Sequence, residues 1–193
     1  MKITTILLTF SALINIFIAY LVYKSNPNRR KNCIFACLVT NILLWNISVL
    51  FIVQSSSIQF AKIWIKMAFC IGSFVPLFFL SLVFSIVEER VDFYKKKDFI
   101  CITFLCITCF LLSWMPSFFT SLTKSDKFYN IPKATYGWPF YLYFLLFFIA
   151  GFYSLIVLFR NLWKKKGLVR AELQYIFLGY FAGLIFIFIT NFL

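Results

Sequence analysis

The chain has 193 residues, of which 63% are hydrophobic, 22% are aromatic and only 13% are charged. Charged residues make up about a quarter of an ordinary soluble domain, so this composition excludes water as the main solvent of the chain. The net charge of +13 comes from short Lys and Arg clusters between long apolar runs, whereas a nucleic-acid surface needs its basic residues gathered on one face. We therefore expect a lipid bilayer as partner and no nucleic acid.

Six apolar segments are long enough to cross a membrane as helices. A helix rises about 1.5 Å per residue, so roughly 20 residues span a hydrocarbon core about 30 Å thick. Spanning strands would show alternating runs of about ten residues, and these runs are continuous. The first segment follows Met1 and Lys2 like a secretory signal, but no small-residue cleavage site follows it. The predicted helices comprise residues 3–23, 33–53, 63–87, 99–119, 138–163 and 173–193.

The loop charges predict the orientation of these helices. Thirteen of the 19 Lys and Arg residues lie in or beside the first, third and fifth loops, and short loops rich in Lys and Arg stay in the cytoplasm. We therefore expect the loops near Asn28, Lys96 and Lys165 to be cytoplasmic and the N-terminus to lie outside. The six acidic residues all lie in loops or at helix ends: Glu88, Glu89, Asp92, Asp98, Asp126 and Glu172. Ion-coupled pumps place such groups deep in the bilayer, so their position argues against a pump.

Uncharged polar residues mark one face of the second predicted helix. Asn41, Trp45 and Ser48 recur at i, i+4 and i+7 and so share that face, whereas Asn46 lies off it. We interpret the face as a helix-packing surface, because hydrogen bonds between membrane helices contribute about 0.6 kcal/mol each. Contact with a ligand is the alternative, and it makes Asn41 and Trp45 the candidate ligand-binding residues.

Small residues and one proline predict local packing. Gly179 and Gly183 in the sixth helix, and Ala150 and Ser154 in the fifth, form small-xxx-small patterns that let a neighbouring helix approach closely. The neighbour could be a helix of the same chain or of a second copy, so a homodimer is a possible assembly. Pro76 predicts a kink in the third helix, because it lacks an N–H donor.

The sequence offers no catalytic, metal or cofactor site. It contains no histidine, which excludes Ser-His and Cys-His nucleophiles and a phosphoaccepting histidine. Cys106 and Cys109 have C-x-x-C spacing, but a structural zinc site needs four ligands and redox cysteines lie near water. We interpret all six cysteines as small buried hydrophobic residues: Cys33, Cys37, Cys70, Cys101, Cys106 and Cys109. We predict no enzyme activity, no cofactor and no metal.

The order of several motifs is similar to that of a known membrane region. The motifs are the basic loop Asn26-Pro-Asn-Arg-Arg30, Trp45, Trp64 with Pro76, Tyr136-Gly137, and Arg170-x-x-x-Gln174 followed by Gly179 and Asn191-Phe-Leu193. In this order they make nearly the whole chain resemble the N-terminal seven-helix membrane region of bacterial sensor histidine kinases. The resemblance implies an input module that senses a signal at the membrane and transmits it to a cytoplasmic output domain.

The fold that we predict is all-α, an integral membrane bundle of six transmembrane helices. The resemblance implies that residues 1–193 are a sensor region truncated before helix seven, because the apolar run reaches Leu193 with no polar flank. The sequence identifies neither the signal ligand nor the output domain. We keep two alternatives to the sensor: a small carrier or channel for a neutral solute, although no inverted repeat is visible, and a structural or assembly protein.

Overall fold

The structure is a computed structural model that describes residues 2–55, 57–87, 96–123 and 133–192. The described residues are mostly helical, because a chain inside a bilayer must satisfy its backbone N–H and C=O groups internally. Four of the acidic residues lie outside the described residues, namely Glu88, Glu89, Asp92 and Asp126. Residues 124–132, between the fourth and fifth predicted spans, also lie outside the described residues.

The described residues form seven α-helices and a short hairpin. In chain order the elements are α1 (Lys2–Ser25), α2 (Arg30–Gln54), α3 (Ile58–Gly72), α4 (Val75–Val87), α5 (Lys97–Trp114), β1 (Phe119–Thr123), β2 (Lys133–Tyr136), α6 (Trp138–Lys164) and α7 (Gly167–Phe192). The helices α3 and α4 follow each other so closely that they form one membrane span, Ile58–Val87.

Five helical segments of the described chain are long and apolar enough to cross a membrane. They are Thr4–Ser25, Arg30–Gln54, Ile58–Val87, Lys97–Trp114 and Trp138–Lys164, and each overlaps one of the first five predicted spans. The sixth predicted span falls within α7 except for residue 193, and its crossing of the membrane stays a prediction. The helical membrane bundle is therefore confirmed.

The third span begins and bends differently from the prediction. It starts at Ile58 rather than at residue 63, because the long stem of Lys62 can lie along an apolar surface while its amine reaches polar surroundings. It is also interrupted by a turn at Ser73 and Phe74, just before Pro76. The predicted kink is confirmed as a full break, since Pro76 has no N–H for the carbonyl of Gly72 and its ring would clash with that carbonyl in a continuous helix.

The fourth predicted span ends too late. We predicted a helix to residue 119, but α5 ends at Trp114 and a 3-10 turn at Pro116–Phe118 leads into β1. Met115, which precedes Pro116, has φ −56° and ψ 139° and so leaves the helix. The antiparallel hairpin of β1 and β2 pairs Phe119 with Tyr136 and Leu122 with Ala134. The sequence prediction contained no strand here.

The helix α4 lies at the centre of the bundle. It packs against α2, α5, α6 and α7, and Leu80 and Val83 are fully buried. A second apolar cluster lies beneath the hairpin and contains Phe118, Phe119 and Tyr143. In contrast, α1 packs chiefly against α2 and leaves most of its side chains exposed to the surroundings.

Candidate functional site at the break in the third span

The break between α3 and α4 frees backbone carbonyls inside the membrane span. Pro76 has no N–H, so the carbonyl of Gly72 loses the donor that a continuous helix would supply four residues later. An unpaired carbonyl in hydrocarbon costs several kcal/mol. The carbonyls of Phe69 and Ile71 in the same turn still accept backbone N–H groups, from Ser73 and Phe74, and neighbouring side chains add further donors to this turn.

Three side chains donate hydrogen bonds to successive carbonyls in the last turn of α3. Tyr143 Oη on α6 donates to Phe69 O at 2.9 Å, and Ser73 Oγ donates to Cys70 O at 2.6 Å. Asn41 Nδ2 on α2 donates to Ile71 O at 3.1 Å. The break is therefore held by donors from α2, from α6 and from its own turn.

The predicted residue Asn41 lies directly at this break. It is 8% exposed, and its bond to Ile71 fixes which end of the amide is the donor. Its Oδ1 atom then has no hydrogen-bond partner among the described residues. Buried polar atoms are nearly always paired, so this orphaned acceptor stands out in an apolar bundle.

The predicted residue Trp45 lies at the same break but is less enclosed. It is 39% exposed, and a Cβ atom added to Gly72 would lie 3.9 Å both from Trp45 Cδ1 and from Tyr143 Oη. Gly72 thus leaves a narrow space between a side chain of α2 and one of α6. Ligand binding by Asn41 and Trp45 stays a prediction.

Two further polar residues of α2, Ser48 and Asn46, form hydrogen bonds away from the break. Ser48 Oγ donates to Leu44 O within its own helix at 2.9 Å, although we placed Ser48 on the packing face. Asn46, which lies off that face, donates from Nδ2 to Ser11 Oγ on α1 at 3.1 Å. The two asparagines of α2 therefore join it to different neighbours, Asn41 to α3 and Asn46 to α1.

The small residues of α6 pack as predicted, whereas Gly179 does not meet a neighbour. Ala150 and Ser154 are buried, and Ser154 Oγ lies 3.4 Å from Pro76 O on α4. Their small size lets α6 approach the beginning of α4. A Cβ added to Gly179 would meet no atom within 4 Å among the described residues, so this position of α7 faces open space.

An apolar groove runs beside Asn41. It has a volume of about 360 Å³ and lies between α1, α2 and α4. Its lining is almost entirely apolar and includes Ala36, Cys37 and Leu44 of α2, with Tyr23 and Phe78 from the flanking helices. Asn41 also lines this groove, so the orphaned oxygen belongs to a residue of the groove wall.

Polar contacts join the helices at the end of the bundle where α2 and α7 begin. Lys31 on α2 forms an ion pair with Glu172 on α7. Lys165 Nζ donates to Val87 O, the last carbonyl of α4, at 3.3 Å. Tyr153 Oη on α6 donates to Asp98 Oδ1 at 2.5 Å. At this end α2 is joined to α7, α4 to the residue that follows α6, and α5 to α6.

The cysteines occupy varied positions. Cys70, Cys106 and Cys109 are buried, whereas Cys37 and Cys101 are exposed on the bundle surface, so the prediction that all are buried is wrong for those two. Within the described part of the chain, no three His, Cys, Asp or Glu side chains come close enough together to hold a metal ion.

Sequence reasoning found Asn41 but missed Tyr143 and Lys66. Lys66 Nζ donates to the carbonyls of Trp114 and Met115 at 3.1 and 3.0 Å and so caps the end of α5. Tyr143 is one of ten tyrosines, and its local sequence carries no signal that separates it from the rest. Its partner Phe69 is 74 residues away, so only the fold brings the two together.

Comparison with known proteins gives one family. Neither the curated proteins nor the solved structures gave a match. The model of the family described as the N-terminal 7TM region of histidine kinase matches residues 7–193, which is nearly the whole chain. The match and the long apolar helices agree on a multi-pass membrane protein. The chain belongs to the family of N-terminal seven-transmembrane regions of histidine kinases.

Proposed function

We propose that the chain is the membrane-embedded, signal-sensing input module of a sensor histidine kinase, with no catalytic domain of its own. The single observation that carries this proposal is the family match over residues 7–193. The lack of histidine and of acidic residues deep in the predicted spans supports it, because both argue against catalysis and against ion coupling.

The proposal includes an orientation. The N-terminus lies outside, and the loops near Asn28, Lys96 and Lys165 lie in the cytoplasm, because these loops carry most of the Lys and Arg residues. The end of the bundle with the Lys31 and Glu172 ion pair then faces the cytoplasm, where a kinase domain would find ATP. The hairpin of β1 and β2 lies on the outer side.

In this proposal the helix α2 connects the break in the third span to the end of the bundle where α2 and α7 begin. Asn41 holds the broken third span and Lys31 holds α7, and ten residues of helix between them span about 15 Å. A signal that binds one arrangement of the break more tightly would shift α2, and α2 would move α7 through the ion pair. Moving such an equilibrium from 1:99 to 99:1 requires about 5.5 kcal/mol of differential binding.

The reading frame beyond codon 193 tests the assignment directly. We expect it, or an adjacent gene, to encode a further apolar helix followed by a histidine-containing kinase domain. A frame without such a domain, together with solute flux through vesicles that contain the purified chain, would favour the carrier or channel instead.

Cysteine accessibility in intact cells tests the orientation. A membrane-impermeant maleimide should label Thr120→Cys in the hairpin, and it should label Lys96→Cys and Lys165→Cys only after the cells are opened. The unsubstituted chain, whose six cysteines all lie in the predicted spans, gives the background. Labelling of the two lysine positions in intact cells would reverse the orientation.

Autophosphorylation of the complete kinase in membrane vesicles tests the role of α2. We expect Lys31→Gln to change the rate several-fold, because it uncouples α2 from α7. Lys164→Gln is the matched control, since Lys164 is exposed and removing its charge should leave the rate unchanged. Equal rates in all three proteins would contradict the coupling.

A further inference from the structure

Four aromatic rings form a continuous strip across the contact between α6 and α7. On α6, the ring centroids of Trp163 and Phe159 lie 5.7 Å apart. Phe159 lies 6.2 Å from Phe177 on α7, and Phe177 stacks on Phe181 at 5.7 Å. Trp163, Phe159 and Phe181 are 74%, 48% and 47% exposed. This aromatic strip therefore faces the surroundings of the bundle rather than its interior.

Two basic residues lie at the end of the aromatic strip where α7 begins. Arg170 precedes Phe177 by seven residues, which is close to two helical turns, so both lie on the face of α7 that meets α6. Glu172 lies about 200° around the helix from Arg170 and pairs with Lys31 on another side. Lys166 directly precedes α7, and both Lys166 and Arg170 are exposed.

The described part of the chain supplies no anion for these two basic residues. Its acidic side chains are Asp98 and Glu172. Glu172 is paired with Lys31, and Asp98 accepts a hydrogen bond from Tyr153. An anion from outside the chain would complement the positive charge, and phosphate suits arginine because two parallel N–H groups can bind it.

The length of the strip separates a phospholipid from a soluble phosphate. Phe181 lies eleven residues after Arg170, or about 16 Å along α7. One leaflet has about 15 Å of hydrocarbon, half of a core about 30 Å thick. With α7 in the bilayer as predicted and Arg170 at headgroup level, the rings extend about as deep as an acyl chain. A soluble phosphate would contact the basic end alone.

We propose that the aromatic strip and its basic end bind a phospholipid with a net negative headgroup, of the phosphatidylglycerol class. Its phosphate contacts Arg170 and Lys166, and one acyl chain lies along the four rings. Phosphatidylcholine has the same phosphate, but its ammonium group has the same charge as the two basic residues and is repelled by them. In the proposed orientation this lipid belongs to the cytoplasmic leaflet. The site does not depend on the proposed input function.

A matched pair of photoactivatable lipids tests the site on the unsubstituted chain. The chain is placed in phosphatidylcholine nanodiscs with a small fraction of phosphatidylglycerol or phosphatidylcholine that carries a diazirine at the end of one acyl chain. Mass spectrometry locates the attached lipid, and α1 is the internal reference because most of its side chains are exposed. We expect attachment near Phe181, relative to α1, to be at least about fivefold higher for phosphatidylglycerol, the factor that one basic residue contributes at a charged lipid surface.

Two variants of equal charge separate this site from the general positive charge of the bundle surface. Arg170→Gln should lower the preference for phosphatidylglycerol about fivefold. Lys97→Gln is the matched control, because Lys97 is exposed at the start of α5, away from the strip, and it should leave the preference unchanged. Melting temperatures in the nanodiscs identify a variant that fails to fold, and the lipid pair on the unsubstituted chain needs no variant.

Four results would overturn the proposal. Equal attachment of the two lipids would mean that the headgroup is not recognised, and equal losses in Arg170→Gln and Lys97→Gln would show diffuse surface charge only. Loss of the preference on adding inorganic phosphate would identify a site for a soluble anion. Attachment to α1 with none on the strip would show that another helix covers it. None of these measurements uses a kinase, so failure of the lipid site and failure of the input function are distinguished.

Discussion

Lys31 and Glu172 lie 141 positions apart in the sequence, yet Lys31 Nζ lies 2.6 Å from one carboxylate oxygen of Glu172 and 2.9 Å from the other. Both side chains are largely enclosed, at 15% and 32% exposure. The pair therefore links the beginning of α2 to the first turns of α7 by charge.

Removing either partner of this pair should destabilise the bundle. We expect Lys31→Ala to lower the free energy of unfolding by about 1.5–3 kcal/mol, the range for hydrogen bonds to charged groups, in a denaturant titration of the chain in micelles. The charge-swapped double variant Lys31→Glu with Glu172→Lys should recover part of the loss. Strictly additive effects of Lys31→Ala and Glu172→Ala in a double-mutant cycle would show that the pair contributes nothing.

The hydroxyl of Tyr143 should stabilise the break in the third span. Tyr143→Phe removes the bond to Phe69 O while keeping the ring in the cluster beneath the hairpin. We expect a loss of about 1 kcal/mol in the free energy of unfolding. The matched control is Tyr141→Phe on the same helix, whose side chain is 66% exposed. Equal effects of the two substitutions would refute the role of the hydroxyl.

Two glycines should respond in opposite ways to alanine. A Cβ at Gly137 would lie 2.0 Å from Ser117 O, whereas a Cβ at Gly179 would meet nothing within 4 Å. We expect Gly137→Ala to displace the start of α6 and to lower the melting temperature. Gly179→Ala should be neutral or stabilising, because alanine favours helix by up to about 1 kcal/mol. A neutral Gly137→Ala would mean that the turn before α6 relaxes freely.

Alkaline pH should weaken the hairpin through Tyr136. Burial raises the pKa of Tyr136 above the value of about 10 for a free tyrosine, so the folded chain holds the proton more tightly than the unfolded chain. The resulting stability is fully present below about pH 10 and is lost as the pH rises through the folded pKa. The free energy of unfolding, measured by denaturant titration at a series of rising pH values, should therefore fall more steeply for the unsubstituted chain than for Tyr136→Phe. Parallel curves would contradict this assignment.

The sequence was sufficient to predict roughly where the spans lie, but it did not predict the contacts that hold the helices together. Continuous apolar runs of about 20 residues have few alternatives to a membrane helix, and Pro76 marked the break. The donors at that break come from Asn41 and Tyr143, which lie 30 and 74 positions from their acceptors. No local pattern encodes such distances.

The hairpin escaped prediction for a related reason. Its strands have only five and four residues, and they pair Phe119 with Tyr136, which lie 17 positions apart in the sequence. Strands of this length show too little alternation to stand out. Phe118, just before β1, and Phe119, at its beginning, extended an apolar run, so the sequence pattern favoured a longer helix.

The contacts of α1 imply an order in which the helices of the bundle assemble. Because α1 packs chiefly against α2 and directly precedes it in sequence, the two form a helical pair that needs little from later segments. Such a pair can insert while the ribosome is still translating the third span. The helices α3 and α4 then pack against α2, so assembly proceeds from the helical pair made at the start of synthesis.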